Sequence, residues 1–348
     1  MDPILRHNQN GFRRGRTTLS QILTLRRIIE EATFCNIDAA FVFVDFSKAF
    51  DSVDRSKMFE ILECYGIPSD IIEAIKILYT DTSATILTPD GETAPFEITA
   101  GILQGDTLAP FLFIIVVDYI LRMSVDQINE KGFQLSPRKS SRHPSKHITD
   151  SDFADDIALI SNTLEDAQAL LQSLESAANC VGLYLNETKT EYVNHCETNP
   201  DLQIKTLNGT ILKQVADYKY LGSFVLNSEK DLNIRKAMAR KACNELHRVW
   251  TSDLATDLKI KIFRATVEPI LLYGSETWTL SVRLEERLDG TYTRLLMRVK
   301  NMSWKCHPTK KQIYGDLHPI SSLLRARRVQ FAGHCFRAST GVVSSLEQ

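Results

Sequence analysis

The stretch HITDSDFADDIALIS, residues 147–161, places two adjacent carboxylates, Asp155 and Asp156, directly before an apolar run. That run, Ile-Ala-Leu-Ile at 157–160, predicts a strand that enters a hydrophobic core. Neighbouring carboxylates repel each other, and an acidic pair beside a core is unfavourable unless positive charge compensates it. A bound cation would explain the pair. Paired aspartates are also common as helix caps and loop charges, which is the alternative explanation.

A second predicted strand also ends in an acid. Residues 39–46, AAFVFVDF, are β-branched and aromatic on both faces, which predicts a strand buried on two sides with Asp45 near its end. If Asp155 and Asp156 lie on a hairpin beside this strand, three carboxylates meet at one sheet edge. Such a cluster needs a divalent cation, and hard oxygen ligands favour Mg²⁺ or Mn²⁺. Two ions about 3.5–4 Å apart can bind both the attacking and the leaving oxygen of a phosphoryl transfer.

The rest of the chain mixes helical and strand patterns. Helices are predicted over residues 18–33, 56–65, 69–80 and 163–181, and an apolar helix is predicted to begin at Pro110. A hairpin is predicted over 83–99, and further strands around Tyr192 and over 218–225. The polar segment 136–147 is predicted to be an exposed loop.

Charge is distributed unevenly along the 348 residues. The formal net charge is −2, but residues 230–348 contain 21 Lys and Arg against 11 Asp and Glu. An acidic front and a basic back predict different partners, cations for the first and a polyanion for the second. Solvated surfaces would also explain the imbalance. Because the pattern becomes helical and basic beyond Lys230, we predict one domain over residues 1–226 and another over residues 230–348.

The basic residues of the back half alternate with aromatic ones, a combination that suits a nucleic-acid backbone and stacked bases. The basic residues are Arg235, Lys236, Arg240, Lys241, Arg248, Lys259, Lys261 and Arg264. The aromatic residues are Trp250, Tyr273, Trp278 and Trp304. Burial in the core is the alternative for most of these aromatic side chains.

The seven cysteines are scattered, and the sequence has no C-x-x-C motif. This usage indicates a reducing compartment and argues against a disulfide scaffold. The pairs Cys306-His307 and His334-Cys335 match no zinc-finger spacing.

No segment has the pattern of a membrane span or a secretory signal. The first ten residues lack an apolar stretch. The most apolar run, residues 109–121, is shorter than a bilayer span and contains Asp118, so it predicts a buried helix. We therefore expect an intracellular protein, cytoplasmic or nuclear or both, with no membrane partner.

Six motifs in chain order resemble the reverse transcriptase of non-LTR (LINE-type) retrotransposons. They are NGFRRGRTT from residue 10, VDFSKAFDSVDR from 44, GILQGDTLAPFLF from 101, FADD from 153, GLYLNETKTEYV from 182 and YKYLGS from 218. The stretches LLYGSETWTL and RRVQFAGHCFR resemble the region that follows the polymerase in such elements. The resemblance implies an α+β right-hand polymerase fold, with palm and partial fingers over 1–226 and a helical thumb-like region over 230–348. An unrelated metal-binding α/β protein would leave the ordered motifs unexplained.

The resemblance also implies the metal ligands. Asp45 and Asp155 would bind both Mg²⁺ (or Mn²⁺) ions and Asp156 would assist. The backbone carbonyl of Phe46 would complete a site.

Other residues would act on the nucleotide. Phe50 matches the side chain that excludes a 2′-hydroxyl and so selects deoxynucleotides. Gln104 and Gly105 match the turn that abuts the incoming nucleotide and the template. Lys189 matches a lysine that protonates the pyrophosphate leaving group, and YKYLGS resembles the primer grip. A core aromatic is the alternative for Phe50, and a solvated loop lysine is the alternative for Lys189.

The implied reaction is RNA-directed DNA polymerisation, in which a primer 3′-hydroxyl attacks the α-phosphate of a dNTP on an RNA template. The sequence departs from the family at Leu103 and Thr107, where a basic residue and a proline are usual. The basic fingers segment and the endonuclease expected upstream of residue 10 do not precede it here. We therefore expect an N-terminally truncated enzyme that binds primer–template and polymerises weakly. The alternative is an inactive nucleic-acid-binding remnant.

Overall fold

The computed structural model describes residues 2–137, 140, 142, 144–196 and 202–337, and its helices and strands are mixed along the chain. The predicted α+β class is confirmed. The helices are α1 (Thr18–Cys35), α2 (Ala49–Ser52), α3 (Arg55–Cys64), α4 (Ser69–Leu78), α5 (Ala109–Met123), α6 (Leu164–Asn179), α7 (Ser228–Glu245), α8 (His247–Thr251), α9 (Thr256–Leu271), α10 (Val282–Val299), α11 (Lys310–Tyr314) and α12 (Ile320–Arg337). Short 3₁₀ helices cover Val125–Lys131, Ser275–Thr277 and Trp304–Cys306.

The strands are short and belong to one larger sheet and four two-stranded ones. They are β1 (Ala40–Val44), β2 (Ser83–Ala84), β3 (Leu87–Thr88), β4 (Gly91–Glu92), β5 (Phe96–Glu97), β6 (Phe133–Ser136), β7 (Lys146–Ile148), β8 (Asp150–Phe153), β9 (Asp156–Ser161), β10 (Glu191–Asn194), β11 (Lys213–Gln214), β12 (Lys219–Tyr220) and β13 (Ser223–Phe224). The five-stranded sheet has the order β11-β10-β1-β9-β8. The predicted loop over 136–147 begins at the end of β6 and ends in β7, and these two strands pair as a hairpin; residues 138, 139, 141 and 143 of that prediction lie outside the described residues.

The chain forms two compact units. The first contains Met1–Gln21 and Ile29–Ala216, and the second contains Ile22–Ile28 and Asp217–Gln348. Our sequence prediction placed the division between residues 226 and 230, whereas the units divide between Ala216 and Asp217. The β12–β13 hairpin, which carries YKYLGS, therefore belongs to the second unit and not to the first.

In the first unit, β1 is the central strand and all five of its residues are buried. It pairs antiparallel with β9 on one side and with β10 on the other. Side chains of β1 and β9 on one face pack with α3, α5 and α6 in a single apolar core. The continuous apolar pattern of β1 follows from this position, because a central strand meets protein on both faces.

Helix α5 confirms the prediction of a buried apolar helix. Asp118 is fully buried in it and accepts hydrogen bonds from Arg6 N (2.6 Å), Tyr65 Oη (2.5 Å) and Arg122 Nε (2.7 Å). The Asp118 carboxylate inside the apolar run therefore has hydrogen-bond partners within the protein. Of the helices that the structure describes, none is long and apolar enough to cross a bilayer.

In the second unit, α7, α9 and α10 enclose an apolar core that contains Trp250, Phe263 and Trp278. Asp231 is buried beside this core and accepts a hydrogen bond from Trp278 Nε1 at 2.8 Å. Arg26 lies 3.4 Å from the same carboxylate and compensates its charge.

Candidate active site

Three carboxylates meet at one end of the central sheet. Asp45 directly follows β1, and Val44, the last residue of β1, pairs with Ile157 of β9. Asp156 begins β9, and Asp155 lies in the two-residue turn that joins β8 to β9. The antiparallel register thus brings together two positions 110 residues apart in sequence.

The three charges disfavour one another. Burial, together with the charges of Asp155 and Asp45, raises the pKa of Asp156 from 3.8 to about 6. Burial and the charge of Asp45 also raise the pKa of Asp155. Desolvation and neighbouring negative charge both disfavour the ionised carboxylate, and a cation at this end of the sheet would offset both effects.

The backbone around Asp45 is fixed, but part of its carboxylate is not satisfied. The loop 186–190 bonds to the Asp45 main chain, with Asn186 N donating to Asp45 O at 2.8 Å and Asp45 N donating to Thr190 Oγ1 at 3.2 Å. Asp45 Oδ2 is buried and has no hydrogen-bond partner within the described part of the chain. Unsatisfied buried acceptors are rare in native proteins, so this oxygen is suited to a metal ion.

Lys189 is the nearest cation to this oxygen that the structure records. Its Nζ lies 3.6 Å from Asp45 Oδ2, and its side chain is 68% exposed. This is an ion pair without a hydrogen bond, and an exposed lysine can exchange it for another partner. The structure therefore places Lys189 beside Asp45, and its role as a proton donor stays a prediction.

Phe46 offers a main-chain oxygen at the same place. It lies opposite Leu185 in an antiparallel bridge whose hydrogen bonds use Asp45 O and Ser47 N. The carbonyl of Phe46 takes no part in that bridge. Residues 2–137, 140, 142, 144–196 and 202–337 contain no group of three or more His, Cys, Asp or Glu side chains already arranged as metal ligands, so the carboxylates would have to close around an ion.

The residues predicted to contact the nucleotide lie on the segment that follows Asp45 and on a loop bonded to it. The Phe50 ring is half-buried and stacks on Phe113 at 4.3 Å between centroids. Gln104 Nε2 donates to Asp51 Oδ1 at 2.9 Å, and Ile102 N donates to Phe50 O at 2.6 Å.

Gly105 has a φ of +93° and open space where a Cβ would be. The positive φ favours glycine at this position. A side chain here would not clash with any neighbouring residue.

Two acids of the opening stretch have a different role. Asp150 and Asp152 are fully buried in β8, and Arg6 contacts both, at 2.7 Å and 3.2 Å. Although burial raises the pKa of Asp150, the Arg6 guanidinium outweighs it and lowers that pKa to about 2. Burial and the charge of Asp150 raise the pKa of Asp152. Arg6 therefore compensates the ionised Asp150, while the raised pKa of Asp152 favours its protonated form, so these two acids belong to a buried cluster around Arg6 and not to the three carboxylates at the sheet end.

One contact not predicted from the sequence joins Gln9 to the turn that carries Asp155. Gln9 Nε2 donates to Ala154 O at 3.3 Å, although the two residues are 145 positions apart. No local pattern signals such a contact. The position of Gln9 just before NGFRRGRTT was the only available indication.

The structure of the second unit shows that part of the predicted nucleic-acid surface is not a surface. Three of the predicted basic residues, Arg235, Lys236 and Lys259, are buried. Lys259 Nζ donates to the carbonyls of Trp250 (2.9 Å) and Ser252 (2.7 Å). A buried ammonium needs such internal acceptors, so the Lys259 side chain belongs to the fold and not to a binding surface. The spacing of basic residues on a helix does not reveal which face of the helix is buried.

The four aromatic residues of the predicted surface differ in how far they are buried. Trp250 and Trp278 are buried, and Tyr273 Oη donates to Leu221 O at 2.8 Å. Trp304 is 70% exposed. Of the four, Trp304 is the most exposed and the best suited to stacking, since Tyr273 is less exposed and carries the Arg235 guanidinium over its ring.

Residues 1–225 match the family described as reverse transcriptase (RNA-dependent DNA polymerase). The chain belongs to this family. Its relatives include a transposon-derived protein of Caenorhabditis elegans, 29% identical over 56% of this chain and 74% of that protein. The Pol polyprotein of the retrotransposable element R2DM of Drosophila melanogaster is 26% identical over 82% of this chain and 27% of its own length. These comparisons confirm the resemblance to non-LTR retrotransposon reverse transcriptases.

A solved structure, telomerase from Candida albicans in complex with a fragment of telomeric RNA, matches at 12% identity. The match covers 88% of this chain and 52% of that chain, with a TM-score of 0.46. Reverse transcriptases as a family use divalent metal ions and RNA templates. The chain spans about a quarter of the length of the R2DM polyprotein.

Proposed function

We propose that this chain extends a DNA primer along an RNA template by nucleotidyl transfer from dNTPs. The observation that carries the proposal is the meeting of Asp45, Asp155 and Asp156 at one sheet end in a chain of the reverse transcriptase family. Their raised pKa values and the unsatisfied Asp45 oxygen support a cation there.

Asp45 and Asp155 are the proposed principal ligands of two Mg²⁺ or Mn²⁺ ions, assisted by Asp156 and the carbonyl of Phe46. Carboxylate and carbonyl oxygens are the donors these hard cations prefer. When bound, such ions stabilise the charge on the attacking and leaving oxygens of a phosphoryl transfer. Because the pKa of Asp156 is about 6, metal binding should release a proton from it at mildly acidic pH.

Other side chains of this chain would select and orient the nucleotide. The half-buried Phe50 ring, which stacks on Phe113, would exclude a 2′-hydroxyl. Gln104, oriented by Asp51, and Gly105 would contact the nucleotide and the template. Lys189 would carry the proton for the pyrophosphate leaving group, since its exposed ammonium stands beside Asp45.

We further propose that the second unit binds the nucleic acid at a cleft of about 490 Å³ beside Trp304. Of the described residues, those that line the cleft include no acid and include three basic side chains, His247, Arg294 and Arg298. An exposed indole can stack on a base while the arginines meet the phosphates, and binding of this kind weakens as salt rises.

The cleft is tested by fluorescence anisotropy with labelled single-stranded RNA. Base stacking contributes about 1–3 kcal/mol, so Trp304→Ala should weaken binding by about tenfold. Phe336→Ala is the matched control, because Phe336 is an equally exposed aromatic residue (76%) that does not line the cleft. Equal effects of the two substitutions would exclude the cleft as the binding site.

The polymerase proposal is tested by primer extension on an RNA template with Mg²⁺ or Mn²⁺. Extension by this chain should be abolished by Asp155→Ala. Salt-sensitive binding of primer–template without extension would instead favour the nucleic-acid-binding remnant. Extension that survives Asp155→Ala would refute the assignment of the catalytic carboxylates.

We propose an intracellular site of action, in the cytoplasm, the nucleus or both, where a reducing environment suits seven free cysteines. Fractionation of cells that express the tagged chain tests this directly. Recovery from the secreted fraction would contradict it.

A further inference from the structure

The turn that carries Asp155 has an unfavourable backbone conformation. Its first residue, Ala154, has a φ of +58°. Two-residue hairpin turns commonly need a positive φ at this place and select Gly, Asn or Asp for it. An alanine needs support from outside the turn, because its Cβ disfavours the left-handed region.

Gln9 supplies that support through its side-chain amide. Its Oε1 accepts a hydrogen bond from Ala154 N at 2.8 Å, and its Nε2 donates to Ala154 O at 3.3 Å. The same oxygen accepts a hydrogen bond from Gly11 N at 2.7 Å, which fixes the orientation of the amide. Gln9 is fully buried, so solvent does not compete for these bonds.

The segment around Gln9 is itself held against β8. Gln9 forms a parallel bridge with Asp152, in which Asn10 N donates to Asp152 O at 2.9 Å and Asp152 N donates to Asn8 O at 3.2 Å. A Cβ at Gly11 would meet Ala154 N at 2.4 Å. Gly11 therefore permits the close approach that brings the Gln9 amide onto the turn.

We propose that Gln9 is a positioning residue that holds the Ala154–Asp155 turn, and with it the Asp155 carboxylate, in the metal-binding arrangement. The proposal deepens the polymerase proposal and rests on it for the role of Asp155. An amide is the side chain that can both donate and accept at this place. A carboxylate would lose the bond to Ala154 O, and an apolar residue would lose both.

The chain provides a matched control in Gln21, a second buried glutamine of the same region. Gln21 Nε2 donates to Asn8 O at 2.8 Å and to Asp152 O at 2.7 Å. Ser151 Oγ donates to Gln21 Oε1 at 2.6 Å. These bonds support the same segment and strand but end before the turn, so Gln21→Ala reports the general loss of stability.

The first measurement is Mn²⁺ affinity of the full chain, read by electron paramagnetic resonance of the free ion. Removal of a partner that orients a metal ligand typically weakens affinity by about 10–100-fold, so Gln9→Ala should weaken Mn²⁺ binding at least about tenfold. Gln21→Ala should lower the melting temperature by a comparable amount and change the affinity by less than about twofold, because it leaves the turn intact. Ala154→Gly in the Gln9→Ala background should recover affinity, because glycine adopts the positive φ without support.

The second measurement is hydrogen exchange at the Ala154 amide, which does not depend on metal. Gln9→Ala should accelerate this exchange more than Gln21→Ala does, since Gln9 Oε1 is its acceptor. Equal exchange rates, or equal effects of the two substitutions on Mn²⁺ affinity, would overturn the positioning role. If wild-type Mn²⁺ binding is insensitive to Asp155→Ala while Ala154 exchange still responds to Gln9, the polymerase proposal fails and the support of the turn stands.

Discussion

Asp156→Asn should stabilise the metal-free protein at neutral pH and should not do so at acidic pH. The pKa of Asp156 in the folded protein is about 6, above its ordinary value of 3.8. The folded state therefore binds the proton more tightly than the unfolded state, and ionisation destabilises the fold. The penalty is absent below about pH 4, grows between about pH 4 and pH 6, and is complete above pH 6.

The magnitude follows from the shift. At about 1.36 kcal/mol for each pKa unit, a rise from 3.8 to about 6 corresponds to about 3 kcal/mol for a fully dehydrated carboxyl group. Desolvation is the largest cause of this shift, but residue Asp156 as a whole is exposed to solvent. Solvent screening therefore reduces the expected gain to about 1 kcal/mol. For a unit of roughly 200 residues, this gain raises the melting temperature by about 2–4 °C.

The assay is thermal unfolding in EDTA at pH 4 and at pH 7.5, with Asp90→Asn as the control. Asp90 is an exposed carboxylate in the β3–β4 turn, so its neutralisation removes a charge with little effect on stability. Addition of Mn²⁺ at pH 7.5 should stabilise the wild type more than Asp156→Asn, because the ion relieves the same repulsion.

Two results would refute this reasoning. An equal gain at both pH values would show that the asparagine acts through packing or hydrogen bonding. Destabilisation at pH 7.5 without metal would show that a partner already compensates the Asp156 charge.

Three further expectations concern other parts of the chain. Arg6→Met should destabilise it by about 3–5 kcal/mol in urea unfolding, because Asp150 and Asp152 would lose their buried partner; a loss below about 1 kcal/mol would mean that the acids relax towards water. Phe50→Val should lower the preference for dNTP over rNTP in kcat/KM by at least about tenfold if the ring excludes the 2′-hydroxyl, and an unchanged ratio would assign Phe50 to the core alone. Limited proteolysis should cut within residues 136–147 and near the boundary at residues 216–217 before it cuts α6, and early cleavage inside α6 would contradict the division into two units.

Local patterns predicted several elements because their causes are local. Thr163 caps α6, accepting a hydrogen bond from Asp166 N at 3.1 Å, and the apolar residues at helical spacing form its buried face. Strand β1 was predictable for the same reason. Its apolar residues do not alternate with polar ones, because a central strand is buried on both faces.

Burial of long basic side chains was not predictable in this way. Arg235, Lys236 and Lys259 have the same spacing as basic residues on a solvated helix face. Their burial depends on acceptors brought near by other parts of the second unit, such as the carbonyls of Trp250 and Ser252 that receive the Lys259 ammonium.

The sequence by itself determined the family and the order of the motifs, and it predicted the carboxylates Asp45, Asp155 and Asp156, because these features reside in residue type and spacing. Only the tertiary structure decided which acids lie together. In the folded chain Arg6 contacts Asp150 and Asp152, and the register of β1 with β9 brings Asp45 beside Asp156. The tertiary structure also placed Gln9 on the Ala154 turn. Each of these contacts joins residues more than a hundred positions apart, and such contacts form through packing of the whole unit, which no local pattern encodes.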